Sequence, residues 1–223
     1  MSYDQESIKQ RYDEIYRNSD FAELLGEKQV TDAIINRLEL ERGDLVLDVP
    51  CGTGKYSRFL REHGVDVVGL DISEVGVRAA DGEADSVGVA DAMNLPVASD
   101  SVDLFFCHGF SPFNDPELAN LDPFMNEVSR VLNADGRFVW GKTTSLKDED
   151  VGSRYDHSLD TLRQYFGSID GLEVESIHVT LPHICYFLRG LGLSRGVSVP
   201  LAAVARTFGL PTRTYCILRT DSS

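Results

Sequence analysis

Positive charge is in short supply. The 223-residue chain holds 21 Lys and Arg against 36 Asp and Glu, a formal net charge of -15. A surface of that sign repels phosphate backbones, which argues against nucleic acid as a partner. It leaves room for a small local basic pocket. Lysine is the scarcest cation, 5 Lys to 16 Arg, and the acids lean to Asp, 22 to 14 Glu. Cysteine is sparse too. Cys51, Cys107, Cys185 and Cys216 lie far apart with no CxxC pair. That excludes a disulfide framework and a zinc knuckle, and it fits a reducing cytoplasm, where we expect the protein to reside. His157, His178 and His183 show no metal spacing, so no metal is expected. Long apolar runs are missing, so no membrane span is expected. The first residues, MSYDQESIKQRYDEIY, are too polar for a signal peptide. No internal repeat or low-complexity tract is present.

What remains is ordinary globular composition, 42% hydrophobic and 26% charged. The length suits one domain that buries roughly 70% of its unfolded surface. Residues 4–18 space Ile8, Tyr12, Ile15 and Tyr16 as an amphipathic helix does, and 27–40 form another. These make an N-terminal helical cap over 1–42. Leu45 to Val49 is a short, nearly all-apolar run, as a strand buried on both faces should be. A regular alternation follows: a helix through His63, a strand over 65–70, a helix from the Ser73 cap to Ala80, and a strand over 87–90. Val102 to Cys107 is the fourth strand. A helix over 122–132 leads through the turn Asn133–Gly136 into a strand over 137–140. Residues 145–157 read as a polar surface loop and 158–166 as a helix. Strands are expected at 172–179 and 214–218. The pattern is an α/β Rossmann-like three-layer sandwich, with a core over 43–143 and C-terminal strands over 144–223.

The informative stretch is LVLDVPCGTGKYSRFLREHGVDVVGLD, residues 45–71. Strand, glycine turn, helix, strand and a terminal Asp make a nucleotide-binding half. Gly52 and Gly54 permit a sharp turn and a close ligand approach, and the next helix offers free N–H groups. Asp71 stands where two ribose hydroxyls would be accepted. A triphosphate loop is excluded, because Val49 occupies the required first glycine and Tyr56 follows Lys55. A dinucleotide fingerprint lacks its third glycine, which is Ser57 here. Asp48 would face a pyrophosphate with the wrong sign but suits an ammonium group. A ligand with an amino acid at one end and adenosine at the other meets every demand. The bland readings are a tight turn without ligand, a helix cap at Asp71 and a turn cap at Asp91.

At these residues the sequence resembles the class I S-adenosylmethionine-dependent methyltransferases, in the small-molecule branch whose turn reads DxGCGTG. The resemblance covers about 40–143. Asp48 to Gly54 reads DVPCGTG, so Pro50 replaces the family's first glycine. It implies a seven-stranded, mostly parallel sheet with the last strand antiparallel, and S-adenosyl-L-methionine as cofactor. It implies that Asp48 faces the methionyl amino group, that Gly52 and its neighbouring main chain touch the ligand, and that Asp71 binds the ribose. Ala90-Asp91-Ala92 matches the adenine motif, with Asp91 accepting from the exocyclic amine and Ala92 donating its N–H. Pro50, Cys51, Gly54, Ile72, Met93 and Cys107 are counted with the cofactor wall. Cys51 and Cys107 are expected as packing residues rather than reactive thiols. The implied activity is methyl transfer to a small, apolar acceptor. The alternatives are a non-catalytic binding module and a nicotinamide-dependent oxidoreductase.

Past the fourth strand, Cys107 to Asp115 should lie between cofactor and acceptor. His108 is either a general base or a lining residue. Tyr12 and Tyr16 are expected to close over the cofactor, since an aromatic face attracts a sulfonium; plain docking of the helix is the alternative. The apolar segment 181–211 reads as an acceptor lid, a homodimer surface or plain packing. The Asp-rich, Lys-poor composition fits a salt-loving source, and the Arg excess fits a GC-rich genome equally well. A salt-adapted surface would raise the unfolding midpoint from low to molar salt, because salt screens its self-repulsion. A flat salt series removes that explanation.

Overall fold

The computed structural model of the chain describes residues 5–18, 27–144, 147–150, 152, 155–180 and 212–221. The helix α1 (Gln5–Asn18) is followed by α2 (Glu27–Ile35). The alternation then runs β1 (Leu45–Asp48), α3 (Lys55–Arg61), β2 (Asp66–Asp71), α4 (Glu74–Ala80), β3 (Ser86–Val89) and β4 (Val102–His108). Two short 3-10 turns, Ser111–Asn114 and Leu118–Leu121, lead into α5 (Asp122–Val131) and β5 (Leu132–Thr144). The small strands β6 (Glu149–Asp150) and β7 (Tyr155–Asp156) precede α6 (Leu159–Phe166), β8 (Leu172–Thr180) and β9 (Thr212–Thr220).

The main sheet has seven strands in the order β3-β2-β1-β4-β5-β9-β8. The pairings from β3 through β5 are parallel, and β9 runs antiparallel to both β5 and β8. The chain builds outward from β1 to β3, then returns to place β4 on the other side of β1. That reversal opens a crevice at the carboxyl ends of β1 and β4, where ligands of such sheets bind.

Alternation along the central strands sends side chains to two cores. On one face Leu47, Phe105, Phe138 and Trp140 pack against Phe124, Met125 and Val128 of α5 and Leu162 and Phe166 of α6. On the other, Val46, Leu104, Phe106 and Val139 meet Ile34 of α2 and Tyr56 and Phe59 of α3. Both faces are covered, which is why β1 and β4 read as apolar runs. Ser73 caps α4 by accepting from the Gly76 N–H at 3.1 Å, as its place before the helix implied.

Three boundaries differ from expectation. The helix α2 stops at Ile35, because Arg37 and Leu38 bond back three residues and Glu39 turns left-handed at φ 51°. The turn Asn133–Gly136 lies inside β5, as an irregularity where the register slips between Val102 and Leu104. Within the expected loop 145–157, β6 and β7 pair as a small hairpin, an arrangement made by backbone that side-chain composition does not announce. The segment 181–211, with its lid and dimer readings, lies outside the described residues. Among the described residues no helix is long and apolar enough to cross a membrane.

Gly141 of β5 pairs with His108 across the sheet. A Cβ there would sit 2.7 Å from both the His108 and Tyr215 rings. Tyr215 is fully buried and His108 packs against it, the ring centroids 5.9 Å apart and tilted by 38°, so neither ring yields easily. Gly141→Ala should lower stability by about 1–3 kcal/mol through overpacking, measured by denaturant unfolding.

Candidate active site

The site is built on the tips of neighbouring strands. Beyond β1 the chain enters the turn through a cis Val49–Pro50 bond. The Cys51 N–H donates to the Leu70 carbonyl at 2.9 Å, and the Gly54 N–H closes back on Cys51 O at 2.9 Å. Gly52 and Gly54 both adopt positive φ, 55° and 81°, a region costly for other residues. Gly54 has a second constraint. A Cβ on it would lie 2.6 Å from the Glu83 Cβ and 3.1 Å from the Ala80 Cα. Its absence lets the start of α3 pack beside the end of α4.

The turn is tied to β2 by one side chain. Asp71, almost fully buried, accepts the Gly52 N–H on Oδ2 and the Ser73 N–H on Oδ1, both at 2.9 Å. The Tyr16 hydroxyl of α1 donates to the same carboxylate. Burial raises the Asp71 pKa, and these hydrogen bonds oppose the rise. Asp48 lies deeper. Its Oδ2 accepts from Ser57 Oγ at 2.6 Å, and its Oδ1 has no partner among the described residues. Burial first, and the charge of Asp71 after it, push the Asp48 pKa up to about 7.

Above this floor lies a cavity of about 920 Å³, counting the part open to solvent. Val49 to Thr53, Lys55 and Tyr56 form one side; Asp71, Ile72, Ala90 and Ala92 form the ribose and adenine end of the expected site. His108 to Pro112 form the far wall, and Ile8, Tyr12 and Tyr16 of α1 form the roof. Tyr12 shares a hydrogen bond with Ser111 across the mouth. The 3-10 turn carrying Ser111 is held from behind. Lys142 Nζ donates to the Phe113 carbonyl at 2.7 Å and the Tyr155 carbonyl at 3.0 Å, and His157 Nε2 donates to Asp115 O at 2.9 Å.

Of the residues singled out from sequence, Tyr12, Pro50, Cys51, Gly52, Asp71, Ile72, Ala92 and His108 line this one cavity. Asp48 sits beneath it. Gly54 faces α4, and Cys107 is buried in the core between the sheet and α5. Asp91 accepts from the Met93 N–H at 2.9 Å, so it closes its own turn at the cavity edge, with Met93 packed toward the core. Burial pushes the Cys51 and Cys107 thiols well up, so both stay protonated. His108 is engaged from the side. Its Nε2 lies 3.0 Å from Arg213 Nη1 and 3.1 Å from the Tyr56 hydroxyl. A guanidinium only donates, so this nitrogen carries no proton and its lone pair points at Arg213. Burial, then Arg213 and Lys55, hold the imidazole neutral, its pKa well below the ordinary value. Tyr56 and Arg213 were missed from sequence. Their pairing with His108 spans 52 and 105 positions, and no local pattern signals it.

An adenosyl amino acid is tested here by what the cavity offers. A buried carboxylate stands at the β2 tip, the Gly52 main chain lines the cavity beside the Tyr16 ring, and a second buried carboxylate ends β1. The residues fit that group.

Residues 47–140 match the model of a family described as methyltransferase domain. The chain is 34% identical over 121 residues to the methyltransferase GfsG of Streptomyces halstedii, covering 50% of this chain and 42% of that one. It is 32% identical over 146 residues to a malonyl-[acyl-carrier protein] O-methyltransferase of Enterobacter lignolyticus, covering 65% and 52%. The chain thus spans about half the length of the curated relatives it matches. Its fold is similar to that of a geranyl diphosphate C-methyltransferase from Streptomyces coelicolor, with a TM-score of 0.70, 14% identity, and 97% and 98% of the two chains covered. The glycine turn and the carboxylate tips of β1 and β2 all fall inside the stretch that matches the methyltransferase-domain model.

Proposed function

We propose that this protein transfers the methyl group of S-adenosylmethionine to a small-molecule acceptor with an apolar body. The observation that carries the reading is Asp71, a buried carboxylate fixed by the Gly52 and Ser73 amides at the floor of a large cavity. Asp71 holds the ribose. The Gly52 main chain and Cys51 line the path of the methionyl part, and Asp48 supplies negative charge beneath its ammonium. Ile72, Ala92, Asp91 and Met93 flank the adenine. The cofactor, when bound, supplies a sulfonium whose methyl group is electrophilic.

The remaining work is positional. Ile8, Tyr12, Phe110 and Pro112 give the cavity an apolar wall on the acceptor side, which orients an apolar body and keeps water from the reacting atoms. His108 belongs to this wall. Its lone pair already accepts from Arg213, so we assign it orientation rather than proton abstraction. The net charge of -15 supports a small molecule over a nucleic acid as acceptor. Three described cysteines are all buried free thiols, which supports a reducing, cytoplasmic setting.

Asp48 carries the electrostatic cost of this arrangement. Its raised pKa means that the folded protein keeps the proton through a range where the unfolded chain has lost it. Its contribution to stability is therefore lost as pH rises from 3.8 to about 7 and stays low above that. A bound ammonium would offset the cost.

Calorimetry with S-adenosylhomocysteine tests the function. Binding is expected, and absence of heat at millimolar ligand defeats the reading. Asp71→Ala should weaken binding about tenfold or more, because it leaves ribose hydroxyls without a charged acceptor. Asp48→Asn should raise the thermal midpoint of the ligand-free protein at about pH 8, with the gain shrinking toward about pH 4. Lower stability of that variant at the higher pH would show that the buried charge is no burden.

A further inference from the structure

The roof of the cavity reaches the carboxylate at its floor, because Tyr16 lines the cavity and bonds to Asp71. The two oxygens of an ionised carboxylate offer about four acceptor positions. On Asp71 the Gly52 and Ser73 amides take two of them, and the Tyr16 hydroxyl and the Ile72 amide also bond to the carboxylate. No position is left free. A ribose brings two hydroxyl donors, so Asp71 cannot satisfy both while Tyr16 is docked. The Tyr16 side chain also fills the space over the turn. A Cβ on Gly52 would meet its hydroxyl at 3.0 Å, and a Cβ on Gly76 would meet its ring at 2.9 Å. The phenol thus lies over the main chain that the ligand must approach.

The helix that carries Tyr16 is held by polar contacts with α4. Lys9 Nζ lies 2.6 Å from Glu74 Oε1. Asp13 Oδ1 accepts from Ser73 Oγ at 2.5 Å and from the Val75 N–H at 3.3 Å. No residue of α1 is fully buried. Exposed ion pairs contribute little, and an element with few buried apolar contacts opens at low cost.

We propose that Tyr16 is a built-in competitor for the ribose position: with α1 docked on α4, its hydroxyl occupies Asp71, and the cofactor binds only as that tyrosine withdraws. The proposal rests on the reading of Asp71 as the ribose carboxylate. The tyrosine then has two places, one on Asp71 in the ligand-free protein and one off it in the complex. The cofactor's apparent affinity is lowered by the fraction of molecules in which Tyr16 is docked. Asp71, meanwhile, is never left as a buried carboxylate with unused acceptors.

Tyr16→Phe removes the hydroxyl and keeps the ring. Calorimetric titration with S-adenosylhomocysteine should show affinity raised about three- to tenfold over the unaltered protein, the range of one net hydrogen bond. Asp13→Ala loosens α1 without touching the cavity, and it should raise affinity in the same direction. If the unaltered protein binds and Tyr16→Phe binds equally or more weakly, Tyr16 is a ligand contact or a bystander, and the proposal is overturned. If neither protein binds at millimolar ligand, the reading of Asp71 as the ribose carboxylate fails, and the proposal goes with it.

Discussion

The hydrogen bond from the Gly52 amide to the Asp71 carboxylate is the constraint on which the site depends. It joins the turn after β1 to the tip of β2, elements 19 positions apart in sequence. It sets the height of the turn and the direction of the carboxylate together. The positive φ of Gly52 presents the amide, and the parallel register of β1 with β2 brings Asp71 alongside. Everything above that bond, from the floor of the cavity to the docking of α1, is placed relative to it.

This geometry gathers negative charge where a stable fold would avoid it. Asp48 and Asp71 are both buried, and the charge of Asp71 adds to burial in raising the proton affinity of Asp48. Ser57 relieves one oxygen of Asp48, and backbone amides relieve Asp71. The other Asp48 oxygen finds no partner among the described residues. Strain of this kind concentrates at functional sites, where stability is traded against binding. The same economy governs the wall opposite, where a neutral imidazole is wedged between a phenol and a guanidinium.

Much of this was legible in the sequence because it is local. An apolar run bounded by Gly43 and Pro50 identifies β1, since a strand covered on both faces has no polar side to show. Ser73 announces α4 through one hydroxyl. Asp71 is legible as the last residue of a strand that follows a glycine turn. The rest depends on distant pairing. Nothing near His108 points to Arg213, which arrives only because β9 lies against β5 in one register. Gly54 reads as a ligand glycine from its motif, yet its bare Cα is also needed where α3 meets Ala80, a contact set by helix packing. Glu127 and Arg130 read as a helix pattern. In the fold they also clamp the segment after Asp91, since Glu127 accepts the Leu95 N–H and Arg130 donates to the Val97 carbonyl. The β6–β7 hairpin is joined through main chain, and its polar side chains carry no trace of that.

The position of β9 has a consequence for how the molecule is made. Residues 212–220 enter the sheet between β5 and β8 rather than at its rim. During synthesis the nucleotide half, through β4 and β5, can assemble early from neighbours close in the chain. The long strand β5 then lacks its β9 neighbour until residues 212–220 have been made. Arg213 arrives with it, so the wall around His108 is the last part of the crevice to acquire its shape, and a nascent chain can hold a finished floor before it owns a finished chamber.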